Sequence, residues 1–309
     1  MRYIITGGSG VIGSRLSANL IADGHVVISL SRNPSAHSFP KGVQGVAWDA
    51  RTAKGWEQYV EGAFAIINLA GENIGGSGTL PTPNTWSEER RQRIKESRLY
   101  AGQAVVTAVE AAKVKPQVVF QMSGIDYYPP GDKVMTEESK RGSQFLADVV
   151  ADYWEPTTQP VEKMGVRRIV GRMAPLLSLD TGPLPPSVLQ FKMFAGGRLG
   201  SGKQWLSWIH IEDAIRAIRF LTDLATAEGT YNIASPNPVT NAEFTKVLGQ
   251  VMGRPSLFPV PEFALRTLLG DVSALVLEGR PVSVKRLEDL GFSFLYPKVE
   301  AALRNLLKK

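Results

Sequence analysis

Three glycines, Gly7, Gly10 and Gly13, follow directly on the apolar run Tyr3-Ile4-Ile5 and constrain this chain more than any other feature. At that spacing the backbone can leave a strand, turn tightly and enter a helix. The early glycines admit a pyrophosphate, and the last lets helix and strand pack closely. The residues that follow fit this reading, since Val11, Leu16, Leu20 and Ile21 share one side of a helical period that closes at Asp23-Gly24. The start of such a helix offers free N–H groups and the positive end of its dipole to phosphate. Val26-Val27-Ile28-Ser29-Leu30 then supplies the next strand on schedule. In this setting the loop predicts dinucleotide binding, with Gly7, Gly10, Val11, Ile12 and Gly13 as candidate contacts. A tight turn with no ligand is the plainer alternative.

Further short apolar runs alternate with helical patterns. Val46-Ala47-Trp48 is a weak third strand, residues 65–70 a strong fourth, 117–122 the fifth and 166–170 the sixth, with helices clearest at 87–112 and 143–154. This alternation predicts an α/β Rossmann architecture, a doubly wound parallel sheet with right-handed crossovers. Prolines at 175, 183, 185 and 186 and glycines over 196–202 mark loops. Beyond them come a helix at 212–224, a late strand at 230–233, and helices at 241–252, 261–270 and 299–308. The expected organisation is a dinucleotide-binding domain over 1–175, rejoined by 210–235. Residues 176–209 and 236–309 would form a smaller, mostly helical substrate lobe.

Composition removes whole classes of chemistry. The 309 residues contain no cysteine and only three histidines, His25, His37 and His210. Disulfides, thiolate metal sites and cysteine nucleophiles are therefore excluded, and no metal site is expected. The formal charge of +6 is spread through short runs of mixed sign, which reads as a solvated basic surface and not a nucleic-acid footprint. No apolar stretch approaches the roughly 20 residues that span a bilayer. The N-terminus leads directly into a strand, without a secretory leader pattern. A cytoplasmic protein with no membrane partner is the expectation.

The end of the second strand bears on which dinucleotide is bound. A carboxylate there would hold a ribose 2′-hydroxyl, but this chain has Ser31-Arg32-Asn33. An arginine and a hydroxyl suit a 2′-phosphate, which favours NADP(H) and makes Ser31 and Arg32 candidate contacts. An exposed loop arginine is the competing reading of Arg32. At the end of the fourth strand, Asn68-Leu69-Ala70-Gly71-Glu72-Asn73 puts small residues where a cofactor would lie, and equally suits a tight strand exit.

Taken together these residues resemble the extended, atypical short-chain dehydrogenase/reductases. Within them the chain is similar to the epimerase-like members of the NAD-dependent epimerase/dehydratase family, a group also described as cell-division-inhibitor-like. The resemblance runs along the whole chain. It is carried by the glycine loop, Ser31-Arg32, residues 68–72, Ser97-Arg98, Ser123 with Tyr127-Tyr128, Gly196-Gly197, residues 199–202, residues 208–213 and 241–244. Residues 277–279, 285–287 and 291–292 resemble that family's C-terminal domain of unknown function. The resemblance implies NADP(H) contacts from the loop glycines, Ser31, Arg32, Leu69, Ala70 and Arg98. It also implies a substrate lobe built from C-terminal segments, in a monomer or homodimer.

The broader superfamily transfers hydride with a serine, a tyrosine and a lysine four residues after that tyrosine. Ser123 matches the serine region. Residues 144–151, where the Tyr and Lys belong, contain neither. Tyr127 and Tyr128 lie just after the fifth strand, where either phenol can take the acid–base role or simply line a pocket. Asp126 beside them is a base or a turn cap. Residues 197–203 read GxxxxGK, but Gln204 replaces the magnesium-binding hydroxyl, which argues against a triphosphate loop. As a loop beside the cleft it would bring Arg198 and Lys203 to an anionic substrate. His210 near Asp213 has no serine elbow to complete a triad and reads as a packed or cleft-edge residue. Two functions remain: an NADP(H)-dependent oxidoreductase or epimerase-like enzyme acting on a small polar substrate, with Ser123, Tyr127 and Tyr128 as catalytic candidates, or a catalytically idle NADP(H)-binding protein that senses redox state or acts through a partner.

Overall fold

The computed structural model describes residues 1–75 and 86–308. Seven parallel strands form one sheet, whose first six are β1 (Arg2–Thr6), β2 (Val26–Ser31), β3 (Gln44–Ala47), β4 (Ala65–Asn68), β5 (Val118–Gly124) and β6 (Arg167–Met173). The seventh, Gly229–Ile233, pairs with β6 at one edge, giving the order Gly229–Ile233, β6, β5, β4, β1, β2, β3. This is the doubly wound Rossmann sheet that the alternating pattern predicts. Strand order reverses between β1 and β4, and the chain exits of those two strands open the crevice in which such sheets take their ligands.

Alternation along each strand splits the core into two layers. In β1, Tyr3 and Ile5 join a cluster with Leu16 and Leu20 of helix α1 (Val11–Ala22) and with Ile215 and Ile218 of the helix Ile211–Asp223. Ile4 points the other way, to Ala101, Val105 and Val109 of helix α2 (Glu88–Ala111). Each large aliphatic side chain so buried contributes about 2 kcal/mol. Helix α2 begins at Ser87, whose Oγ accepts the Arg90 N–H, with Glu88 and Glu89 in its first turn. A separate cluster beyond the sheet unites Leu184, Val188 and Phe191 with Phe244, Leu248 and Leu303, so the late helices share a core of their own.

The predicted helix over 143–154 departs from regularity. A single α-turn, Phe145–Asp148, runs into a π-helical turn, Val149–Trp154, and then a 3-10 stretch, Glu155–Met164. Pro156 lacks the N–H that would carry the regular ladder onward, and Pro160 repeats the defect. π-turns of this kind cluster at functional sites. Here the widened turn delivers Trp154 and Glu155 to the C-terminal end of the sheet.

Candidate functional site

The glycine loop hangs on β1. Gly7 adopts φ +66°, and a Cβ there would lie 3.1 Å from the backbone of Leu69 and Ala70, so only glycine lets the loop nest against the exit of β4. A Cβ at Gly13 would meet the Gly7 carbonyl oxygen at 2.6 Å. Gly10 is the N-cap of α1 and has no side chain to cap it, which leaves the first turn, with Val11 and Ile12, open to an external acceptor. The buried Thr6 hydroxyl donates to Asn68 Oδ1 at 2.5 Å and accepts the N–H groups of Leu69 and Ala70 at 3.1 and 3.2 Å. Asn68 in turn donates to Gln121 Oε1 at 2.9 Å.

At the exit of β2, Ser31 is buried and its Oγ lies 3.4 Å from that of Ser9 in the glycine loop. Arg32, next to it, is exposed and makes no ion pair among the described residues. Loop, bare helix start and free cation fit a dinucleotide carrying a 2′-phosphate.

Arg98 projects from α2 beneath Gly71. It is buried, donates to the carbonyls of Glu72 (3.2 Å) and Ile94 (3.0 Å), and stacks at 4.3 Å on the Trp154 ring. Its Nε has no partner, as has the buried Nε1 of Trp154. Burial pulls the Arg98 guanidinium down to about 10, against the pull of Glu72 and Asp126. A buried arginine without a hydrogen-bonded carboxylate is costly to the fold.

Ser123 and Tyr128, expected as catalytic, sit in one hydrogen-bonded network. Ser123 donates to Glu155 Oε1 at 2.6 Å. Glu155 is gripped by Arg172, Nε to Oε1 at 2.7 Å and Nη2 to Oε2 at 2.8 Å. Arg172 also donates to the Tyr128 hydroxyl at 2.9 Å, which itself donates to Asn232 Oδ1 at 2.8 Å. Tyr128 is fully buried, and burial pushes its phenol up to about 12 despite Arg172. Both hydroxyls are engaged within this network. Tyr127 is half-buried, its ring 3.5 Å from the Arg172 guanidinium.

The residue after Ser123, Gly124, lies beside Trp154 and Asp126. A Cβ there would lie 3.9 Å from the Trp154 ring and 3.8 Å from Asp126 Oδ2.

A cleft of about 430 Å³ opens beside Asp126, between the end of β5 and helices near the C-terminus. Trp86, Gln144 and Phe145 line one side, and Arg266, Asp271, Glu278 and Arg280 the other. Arg280 is buried and pairs with Asp126 at 2.7 Å. Arg198 and Lys203, on which an anionic substrate was expected, do not line it. His210 is fully packed, accepting the Glu212 N–H on Nδ1 and facing Asn305 Oδ1 through Nε2. Sequence reasoning also missed Trp154, Glu155, Glu278 and Arg280; the one available signal was the Leu277–Gly279 segment already noted in the tail.

Residues 3–153 match the NAD dependent epimerase/dehydratase family, and residues 260–306 match a domain of unknown function, DUF1731. Epimerase family protein YfhF of Bacillus subtilis is 36% identical over 308 residues, covering 99% of this chain and 98% of that protein. This chain belongs to the epimerase family. The chloroplastic SDR39U1 homolog of Arabidopsis thaliana is 37% identical, covering 100% of this chain and 87% of its own length. Among solved structures, human epimerase family protein SDR39U1 with NADPH superposes with a TM-score of 0.87 at 29% identity, covering 100% of this chain and 99% of that one. MoeE5 with UDP-glucuronic acid and NAD shares the fold, with a TM-score of 0.78 at 18% identity. Arg266, Asp271, Glu278 and Arg280 all fall within the DUF1731 match, so in this family member that domain forms one wall of the cleft.

Proposed function

We propose that this chain is an NADP(H)-dependent enzyme of the oxidoreductase or epimerase type, acting on a small polar substrate held in the cleft beside Asp126. The observation that carries the cofactor is Arg32, an exposed cation without an ion pair among the described residues, at the exit of β2 beside Ser31 and the open start of α1. The NADPH bound by human SDR39U1 supports the same assignment. Gly7, Gly10, Val11, Ile12 and Gly13 would hold the pyrophosphate, Ser31 and Arg32 the 2′-phosphate, and Leu69, Ala70 and Arg98 the nicotinamide half. The cofactor supplies hydride exchange when bound.

The chain's own contribution is proton handling and orientation. Asp126 is a carboxylate of the cleft beside Gly124, and Arg280 fixes it in place at 2.7 Å. In that position it takes a proton from a substrate hydroxyl or returns one to a carbonyl. Arg98, stacked on Trp154, favours negative charge developing on the reacting oxygen.

Calorimetric titration of cofactor-stripped protein with NADPH and NADH tests this, repeated on Arg32→Ala. NADPH should bind more tightly, and Arg32→Ala should bring it to the NADH level. Equal binding of the two by the unaltered protein would refute the phosphate assignment.

A second reading is favoured by one observation, that Ser123 and Tyr128 are both locked in the Arg172 network. It makes the chain an NADP(H)-binding sensor without turnover. Transfer of deuterium from 4-deuterated NADPH to any product would eliminate it.

A further inference from the structure

Four of the five charged side chains that line the cleft are neutralised in pairs. Arg280 holds Asp126 at 2.7 Å, Arg266 holds Glu262 at 2.8 Å, and Asp271 is held by Arg91 at 2.6 Å. The fifth is Glu278. It is half-buried and makes no ion pair among the described residues. Residues 76–85 contain no lysine, arginine or histidine, so that segment has no cation to give it.

Glu278 is also held rigidly. A Cβ on the neighbouring Gly279 would lie 1.7 Å from the Trp205 carbonyl oxygen, so backbone lies on backbone there. The Gly279 carbonyl accepts the Gly131 N–H at 2.9 Å, and the Arg280 carbonyl accepts the Ser207 hydroxyl at 2.8 Å. Across the cleft, Gln144 Oε1 is buried without a partner, as is Nε of the nine-tenths buried Arg280. The site is thus built and pinned, with its polar atoms incompletely satisfied and one net negative charge.

We infer that the cleft recognises a small molecule bearing a protonated amine, with Glu278 as its counter-ion. This rests on the reading that the cleft is the substrate site. Any ligand that fills the cleft strips water from Glu278. A neutral or anionic ligand leaves that carboxylate desolvated and alone, which is costly, whereas an ammonium supplies both charge and up to three donors. Glu278 takes one of these donors as its counter-ion. Selection therefore works by rejection of uncharged and acidic analogues as much as by attraction.

The test uses three sugars of one ring size that differ in charge: D-glucosamine, D-glucose and D-glucuronate. Each is titrated calorimetrically into the full-length protein, with and without saturating NADPH. Glucosamine should bind about tenfold more tightly than glucose, the effect of one charge-assisted contact, with glucuronate weakest. Glu278→Gln should erase that preference, and Glu278→Lys should turn it towards glucuronate. Thermal unfolding of both variants reports whether they are folded. Equal binding of the three sugars, a preference for glucuronate in the unaltered protein, no binding of any at millimolar concentration, or a glucosamine preference that survives Glu278→Gln would each overturn the inference. An amine preference without NADPH binding would sink the cofactor reading alone, and NADPH binding without the preference would sink this one alone.

Discussion

Arg172 and Glu155 form a two-pronged ion pair, 2.7 and 2.8 Å, at the buried junction of β6 and the π-helical turn. Burial works against the Arg172 charge, and the Glu155 carboxylate more than offsets it, holding the guanidinium above its ordinary range. Arg172→Met leaves Glu155 and the Tyr128 hydroxyl without their donor. It should cost about 3–5 kcal/mol, read from urea unfolding. The double variant Arg172→Met/Glu155→Leu should recover much of that loss, and no recovery would show that packing, not charge, holds the junction.

Ser123 and Tyr128 give the same network a sharper test. Ser123→Ala and Tyr128→Phe should each cost about 1–3 kcal/mol in unfolding experiments, since the first removes one buried hydrogen bond and the second two. NADPH affinity should stay within twofold of the unaltered protein. A variant that keeps its stability and loses only turnover would restore that residue to catalysis.

Two glycines separate local strain from ligand geometry. Gly24 has φ +77° with open space around it, so Gly24→Ala should cost about 1–2 kcal/mol and leave NADPH binding alone. Gly13 has no such strain, but its added Cβ would press on Gly7 and Gly8 backbone at 2.6 and 2.7 Å. Gly13→Ala must displace the loop, and NADPH affinity should fall at least tenfold by titration calorimetry. Unchanged affinity would place the cofactor elsewhere.

Arg98 lacks a hydrogen-bonded carboxylate and is held down to about 10 by burial. Replacing it with methionine relieves that desolvation while giving up hydrogen bonds to carbonyls. Arg98→Met should therefore change the unfolding free energy by less than about 1 kcal/mol and weaken NADPH binding. A large stability loss with intact binding would make Arg98 a structural residue.

His210 sets a pH dependence. Burial holds its folded-state value below the ordinary 6.5, with Asp213 and Asn305 opposing only in part. The unfolded chain thus binds the proton first as pH falls, and the stability from neutral His210 is complete above 6.5 and lost below it. Unfolding free energy should decline between pH 7.5 and 5.5. His210→Asn, which keeps an acceptor for the Glu212 N–H, should flatten that slope.

How much of this was written in the residues differs by level. The sheet was legible because β1, β2, β4 and β5 are short apolar runs with glycine or helix signals after them, and both sheet faces are covered. The cofactor loop was legible because glycine spacing is local. The network around Ser123 was not, because Glu155 and Arg172 lie 32 and 49 residues away from it in sequence. Glu278 and Arg280 meet Asp126 and Gln144 only through the fold, so no spacing announces them.

The Thr6, Asn68 and Gln121 side chains tie the ends of β1, β4 and β5 together. Their cross-links make the three strand tips a single plate, and the Leu69-Ala70 backbone is bolted to it through Thr6. A change at any one of these three buried positions is therefore a change of alignment for everything mounted on the plate. The glycine loop on one side and the Gly124–Asp126 corner on the other keep their mutual spacing because neither can shift without the other.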